Sequence, residues 1–121
     1  AKAAAEDFIT PAATDSAVVR EYVRAAVAAD PVRVDWNHID QWNALDPAAV
    51  HVPTLEIMGE RDPNSTQIPG GEAAFFGKLA TPDREFVVLP GVDHAAFLEN
   101  ERARFVEALA DFLTRPRPPA P

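Results

Sequence analysis

The first part of the chain spaces its apolar residues three and four positions apart, which is typical of an α-helix with one buried face. The first helix is predicted over residues 16–30, on a stripe formed by Val18, Val19, Tyr22, Val23, Ala26 and Val27. Asp15 or Ser16 is a suitable N-cap for this helix. Asp30 precedes Pro31 and ends it, because proline disfavours helical backbone in the residue before it.

A second helix is predicted over residues 34–45, where Trp36, Ile39, Trp42 and Leu45 recur at helical spacing. The two tryptophans either pack this helix or line a substrate pocket, and packing is the stronger expectation. The pattern then changes to short apolar runs. Residues 53–59 and 85–89 have the length and composition of strands, and the second run is apolar enough for a strand covered on both faces.

The segments between and after these strands are predicted to be helical. Residues 72–79 form a short helix with Ala73, Phe76 and Leu79 directed inward, and the last helix runs from Ala95 to about Leu113. Residues 115–121 are rich in proline and are predicted to be a disordered tail. Strands that alternate with helices favour an α/β fold with a parallel sheet and right-handed crossovers.

Composition bounds the class of protein. The chain has 121 residues, of which 47% are hydrophobic, so a folded domain is expected. Two strands do not make a stable sheet by themselves, however, which suggests part of a larger fold. The net charge of −8 argues against nucleic acid and anionic membranes as partners, and the absence of cysteine excludes thiol catalysis. The chain begins at Ala1 rather than Met, which fits a processed product.

Asp62 and His94 are the candidate catalytic residues. Each follows a predicted strand, and a predicted helix lies between them. Ligands of parallel α/β sheets bind beyond the carboxyl ends of the strands, so we expect both side chains at one edge of the sheet. An imidazole exchanges protons near neutral pH, and a carboxylate can fix its tautomer and stabilise its cation. Gly91 would allow a sharp turn before His94.

Other polar residues are weaker candidates. Asp93 better suits an N-cap for the last helix, while Glu60 and Glu99 are expected to be solvated or to order loops. No metal site is predicted, because the spacing of His38 and His51 relative to Asp40 or Asp46 matches no compact zinc motif. Neither Ser16 nor Ser65 lies on a nucleophile elbow.

Two segments resemble the α/β-hydrolase family. The run Pro53-Thr54-Leu55-Glu56-Ile57-Met58-Gly59-Glu60-Arg61-Asp62 is similar to the strand and acid loop of the family, and Gly91-Val92-Asp93-His94 followed by apolar residues and Glu99 is similar to its histidine loop. Glu56 departs from the pattern, in which an apolar residue is usual, and Met58 stands where His or Gly is common. The resemblance implies the end of a helical cap and a return helix over residues 1–49, the C-terminal strands and helices of the hydrolase core over residues 50–114, and the tail after them.

By this resemblance Asp62 is the acid and His94 the base of a Ser-His-Asp triad. The chain contains no Gly-x-Ser-x-Gly elbow, so the serine is expected on a missing N-terminal chain. The implied function is hydrolysis of an ester or amide in a small molecule or peptide, without a cofactor, and the chain alone is expected to be inactive. Two alternatives stay open: an aspartate nucleophile, as in dehalogenases and epoxide hydrolases, and a non-catalytic interaction module.

Overall fold

The chain forms a small mixed α/β domain in a computed structural model that describes residues 1–10, 12–31, 44–63 and 70–117. The described residues contain two parallel strands and four α-helices. In chain order these are α1 (Lys2–Ala5), α2 (Ser16–Ala29), β1 (Thr54–Gly59), α3 (Glu72–Lys78), β2 (Arg84–Leu89) and α4 (Arg102–Thr114). A short 3₁₀ turn, Pro47–Ala49, precedes β1. The prediction of a mixed α/β fold with parallel strands is confirmed at this level.

Helix α2 has the bounds that its sequence predicts. The Asp15 side chain caps it by accepting a hydrogen bond from the amide of Ala17 at 2.7 Å, and the helix ends at Ala29, just before the Asp30-Pro31 pair. Its Tyr22 ring contacts Phe8 edge-on, with 5.2 Å between ring centroids. The second predicted helix lies largely outside the described residues, together with its two tryptophans, and its last position, Leu45, is exposed.

The two strands pair in parallel from Thr54 opposite Arg84 to Gly59 opposite Leu89. Alternation along the strands divides the sheet into two faces. One face carries the core of the domain, in which Leu89, Val92 and Ala96 are buried and Ile57, Val87 and Phe105 pack around them. On the other face Phe86 meets Phe76 of α3, with 5.4 Å between ring centroids.

Helix α3 confirms the predicted short helix, with one difference in its inward face. Leu79, the residue after the helix, is buried and Phe76 is partly buried, but Ala73 is exposed. The contact with the sheet runs through Phe76 and Phe86, and Ala73 lies on the side of the helix turned to solvent.

The last helix begins seven residues later than its sequence predicts, at Arg102 instead of Ala95. A single turn forms at Ala95, whose carbonyl accepts from the amide of Leu98 at 2.7 Å. The turn does not continue, because the Asn100 amide donates instead to the carbonyl of Ala13, 2.9 Å away. Helical periodicity cannot reveal this interruption, since the competing acceptor lies far away in sequence.

The start of the predicted tail packs against the domain. The Arg115 guanidinium pairs with the carboxylates of Asp83 and Glu85, and it lies over the ring of Phe112 at 4.3 Å from the centroid. Arg117 also pairs with Asp83, at 3.0 Å. The prediction of a disordered tail is therefore wrong at Arg115 and Arg117, which pack against the domain. Residues 118–121 lie outside the described part of the chain.

Candidate functional site

Asp62 and His94 meet at the carboxyl end of the sheet. Asp62 lies three residues after the end of β1 and His94 five residues after the end of β2. The Nδ1 atom of His94 is 3.0 Å from Oδ2 of Asp62. An ionised carboxylate only accepts hydrogen bonds, so Nδ1 is the donor in this pair. The Asp62 side chain is 13% exposed and the imidazole 43%, which leaves the ring accessible from outside the domain.

Hydrogen bonds between the two loops fix this geometry. The Arg61 amide donates to the carbonyl of Val92 at 2.9 Å, and the Gly91 amide donates to the Glu60 carboxylate at 2.8 Å. Gly91 has a φ of +75°, the left-handed conformation that favours glycine, so the sharp turn expected there is present. Glu60 orders the loop, which is one of the two roles expected for it.

The backbone of Val92 and Asp93, before His94, also approaches β1 closely at Gly59, the last residue of the strand. A Cβ atom on Gly59 would lie 2.4 Å from the carbonyl oxygen of Asp93 and 2.5 Å from that of Val92. Only a residue without a side chain allows this contact. In the sequence Gly59 is recognisable as the end of the strand, but its role in the packing of the histidine loop becomes visible only in three dimensions.

Two buried carboxyl groups support the histidine loop, and the sequence does not reveal their burial. Asp93 and Glu99 are each only 2% exposed. The Glu99 carboxyl accepts from the Asp93 amide at 3.1 Å, and the Asp93 carboxylate accepts from the Thr10 amide at 2.6 Å. Asp93 also faces the Ala95 amide at 3.4 Å, so it caps the turn at Ala95 rather than the last helix.

Glu56, on β1, is a partly buried carboxyl group with a shifted pKa. Burial, together with the nearby charge of Glu72, raises the pKa of Glu56 to about 7. Burial, together with the charge of Asp62, also raises the pKa of Glu72. The Oε2 atoms of Glu56 and Glu72 are buried without a hydrogen-bond partner. The side of β1 that faces α3 therefore holds two acidic side chains, Glu56 and Glu72, whose negative charges would repel each other.

A small cavity of about 90 Å³ lies against His94. The aromatic rings of Phe8, Tyr22 and Phe97 line it, so the N-terminal segment and α2 contribute to the surroundings of the imidazole. The Tyr22 hydroxyl donates to Asp7 at 2.9 Å, and this hydrogen bond, more than burial, raises the pKa of the phenol. The cavity thus combines aromatic walls with the hydrogen-bonded pair of Asp7 and Tyr22 and the imidazole of His94.

The other candidates do not join this site in the described part of the chain. The Ser16 hydroxyl accepts from the Arg20 guanidinium at the start of α2, while Ser65, His38 and Asp40 lie outside the described residues. Among residues 1–10, 12–31, 44–63 and 70–117, no group of three or more potential ligands could hold a metal ion. The helices within those ranges are also too short or too polar to cross a membrane.

Comparisons with protein-family models, with curated proteins and with solved structures found no match to this chain.

Proposed function

We propose that this chain is the C-terminal part of an α/β-hydrolase and that it supplies Asp62 and His94 to a triad with a serine nucleophile. The reaction is hydrolysis of an ester or amide through an acyl-enzyme intermediate. The serine and the oxyanion-hole donors lie outside these 121 residues, because no Gly-x-Ser-x-Gly sequence occurs within them.

The observation that carries the proposal is the 3.0 Å contact between His94 Nδ1 and Asp62 Oδ2 on loops that follow paired parallel strands. In a triad the carboxylate holds Nδ1, and Nε2 exchanges the proton of the nucleophile. His94 would take the serine proton during attack and return it to the leaving group. Asp62 would hold the imidazole in the required tautomer and stabilise its cation.

The cavity beside His94 supports the same site. Its aromatic walls and its volume of about 90 Å³ suit a small apolar part of the substrate, with the hydrogen-bonded Asp7 and Tyr22 on one side. An enclosed apolar cavity of about 150 Å³ takes a benzene ring, so this one would take a smaller group, such as a short alkyl chain.

The test uses the complete hydrolase from its source, treated with a fluorophosphonate probe that labels activated serines. We expect one labelled serine on a Gly-x-Ser-x-Gly elbow outside these 121 residues. His94→Ala should lower kcat/KM for an ester substrate by about 10⁴–10⁶-fold, and Asp62→Asn by about 10⁴-fold, because triad members act as a unit. Intact-mass spectrometry would show whether the elbow belongs to the same polypeptide or to a second chain.

His51→Ala is the matched control, because His51 is an exposed histidine that precedes β1, whereas Asp62 follows the other end of the strand. It should leave labelling and turnover unchanged. Labelling and turnover that survive His94→Ala would contradict the proposal. Hydrolysis of haloalkanes or epoxides without serine labelling would identify an aspartate nucleophile, and an assembly with no hydrolytic activity would favour an interaction module.

A further inference from the structure

The most unusual feature outside the Asp62–His94 pair is the buried carboxyl pair of Asp93 and Glu99. Both side chains are 2% exposed, and acidic residues are almost never buried to this degree without compensation. The pair flanks His94 on its own loop, yet neither carboxyl contributes to the hydrogen bond with Asp62. Because both carboxyl groups are buried, we expect the pair to have a role other than proton exchange with a substrate.

The Glu99 carboxyl accepts from the Asp93 backbone and both side chains are buried, so two negative charges here would repel each other without solvent to screen them. One proton on the pair removes this repulsion and allows one carboxyl group to donate to the other. Burial, together with the Asp93 side chain, raises the pKa of Glu99 to about 7. Burial alone would raise the pKa of Asp93, but hydrogen bonds from Glu99, Thr10 and Ala95 outweigh it and lower that pKa. These opposite shifts make Glu99 the group that holds the proton and Asp93 the carboxylate.

This pair joins three parts of the chain. Through its carboxylate, Asp93 holds the backbone of Thr10, 83 residues earlier in the sequence. Through its carboxyl, Glu99 holds the backbone of Asp93 and closes the loop around His94. Next to Glu99, the Asn100 side chain donates to the carbonyl of Ala12 at 3.1 Å, so the N-terminal segment is attached at two points.

We infer that Glu99 is a positioning residue for His94, which it holds through Asp93 as long as the buried pair retains one proton. When Glu99 releases its proton to solvent, two carboxylates face each other in a buried site. Their repulsion and their desolvation both favour opening of the loop. The N-terminal segment then detaches from Asp93, and His94 loses its fixed distance to Asp62.

Other charged groups surround this pair. Arg102 of α4 donates to the backbone carbonyl of Glu99 at 3.4 Å, and His94 precedes the turn at Ala95. Asp7 of the N-terminal segment lies across the cavity, where it accepts from Tyr22. The group that acts directly on Glu99 is the Asp93 carboxylate, whose charge opposes ionisation of its neighbour. A group with a raised pKa stabilises the fold below its ordinary pKa and loses this contribution as pH rises, here through about 7.

The experiment is an NMR titration of the 121-residue chain. Carboxyl ¹³C shifts should show Glu99 titrating near neutral pH, whereas an ordinary glutamate titrates near pH 4.3. Over the same range the Nδ1–H signal of His94 should disappear, and exchange of the Thr10 amide, corrected for intrinsic rates, should accelerate by about tenfold. Glu99 titrating as an ordinary surface carboxyl would overturn the inference.

Glu99→Gln is the decisive variant, because its amide keeps an acceptor for the Asp93 backbone and a permanent donor for the Asp93 carboxylate. It should match the wild type at about pH 5 and retain the His94 signal at about pH 8.5. Glu101→Gln is the control, since Glu101 is exposed on the same segment and pairs with Arg104; it should respond to pH like the wild type. Asp93→Asn, which removes the repulsion from the other side, should also weaken the response.

A structural glutamate without this role would give the same pH response in Glu99→Gln as in the wild type, and that result would also overturn the inference. The inference rests on the proposed function only in treating His94 as a base, and the titration needs no nucleophile. In the complete hydrolase, kcat/KM should fall above neutral pH in the wild type and less so in Glu99→Gln. An NMR response without any hydrolysis would reject the proposed function and leave the positioning role standing.

Discussion

At the scale of single residues, the difference between Asp62 and Glu99 shows what a sequence can reveal. The proximity of Asp62 and His94 could be predicted because each lies just after a strand, and strand ends follow from local pattern. The burial of Glu99 could not, because it depends on Asp93 being held by Thr10, far away in sequence. A glutamate six positions after Asp93 has no local property that distinguishes it from a solvated one.

Glu56 is the residue whose chemistry conflicts most with its position. It lies in β1 opposite Phe86, where an apolar side chain would suit the covered sheet face, and its Oε2 atom has no hydrogen-bond partner. Burial and the neighbouring charge of Glu72 raise its pKa to about 7. A raised carboxyl pKa means that the folded state holds the proton more tightly than the unfolded state, so stability falls as pH rises from about 4.5 to about 7.

We therefore expect Glu56→Gln to stabilise the chain above neutral pH. The gain in free energy of unfolding should be about 1 kcal/mol at about pH 8, after discounting the shift for the solvent exposure of the side chain, and close to zero at about pH 5. Urea unfolding at the two pH values measures it. Glu107→Gln on the exposed side of α4 is the control and should change stability little at either pH. A stabilisation equal at both pH values would contradict the electrostatic explanation.

At the scale of elements, the short segments were predictable and the start of α4 was not. Strands β1 and β2 and helix α3 were recognisable from apolar runs bounded by proline and glycine. The apolar spacing after Ala95 also fits a helix, but the chain folds back there because Asn100 donates to Ala13. Contacts between segments distant in sequence decide such boundaries, and a periodicity within one segment contains no information about them.

The approach of β1 to the histidine loop makes a sharp prediction about two glycines. Gly59→Ala should destabilise the chain by about 1–3 kcal/mol, because its Cβ would overlap two backbone carbonyls that cannot move independently. Gly77→Ala is the matched change in α3, where no atom lies within 4 Å of the added Cβ. It should stabilise by about 0.5–1 kcal/mol, since alanine loses less backbone entropy than glycine in a helix.

Denaturant unfolding of both variants tests this pair. In addition, Gly59→Ala should change the NMR signals of His94, because the displaced carbonyls belong to Val92 and Asp93. Gly77→Ala should leave these signals as they are. Equal stability of Gly59→Ala and the wild type would contradict the prediction. It would mean that in solution the carbonyls of Val92 and Asp93 lie far enough from Gly59 to leave room for a Cβ atom.

At the scale of the whole molecule, the domain has a well-buried centre at its histidine loop and apolar surface elsewhere. The N-terminal segment is attached by hydrogen bonds to Asp93 and Asn100, which follow β2. Within the described part of the chain the sheet has two strands, fewer than an independently stable sheet normally requires. Helix α4 exposes an apolar stripe beside its buried Phe112: Val106 is 58% exposed, Leu109 38% and Leu113 60%.

An apolar stripe of this kind favours association, because contiguous exposed apolar surface is uncommon on monomeric proteins. We expect the 121-residue chain by itself to self-associate in sedimentation-velocity experiments at concentrations of about 10–100 µM, the range of weak apolar interfaces. Val106→Glu combined with Leu113→Glu should shift the distribution to monomer. Arg104→Gln combined with Thr114→Glu lowers the net charge by the same amount at exposed positions of the same helix that do not face Val106, and it should shift the distribution less. If both pairs of substitutions had the same effect, net charge rather than the apolar stripe would explain the association. A wild-type chain that stayed monomeric throughout this concentration range would contradict the prediction that the stripe drives self-association.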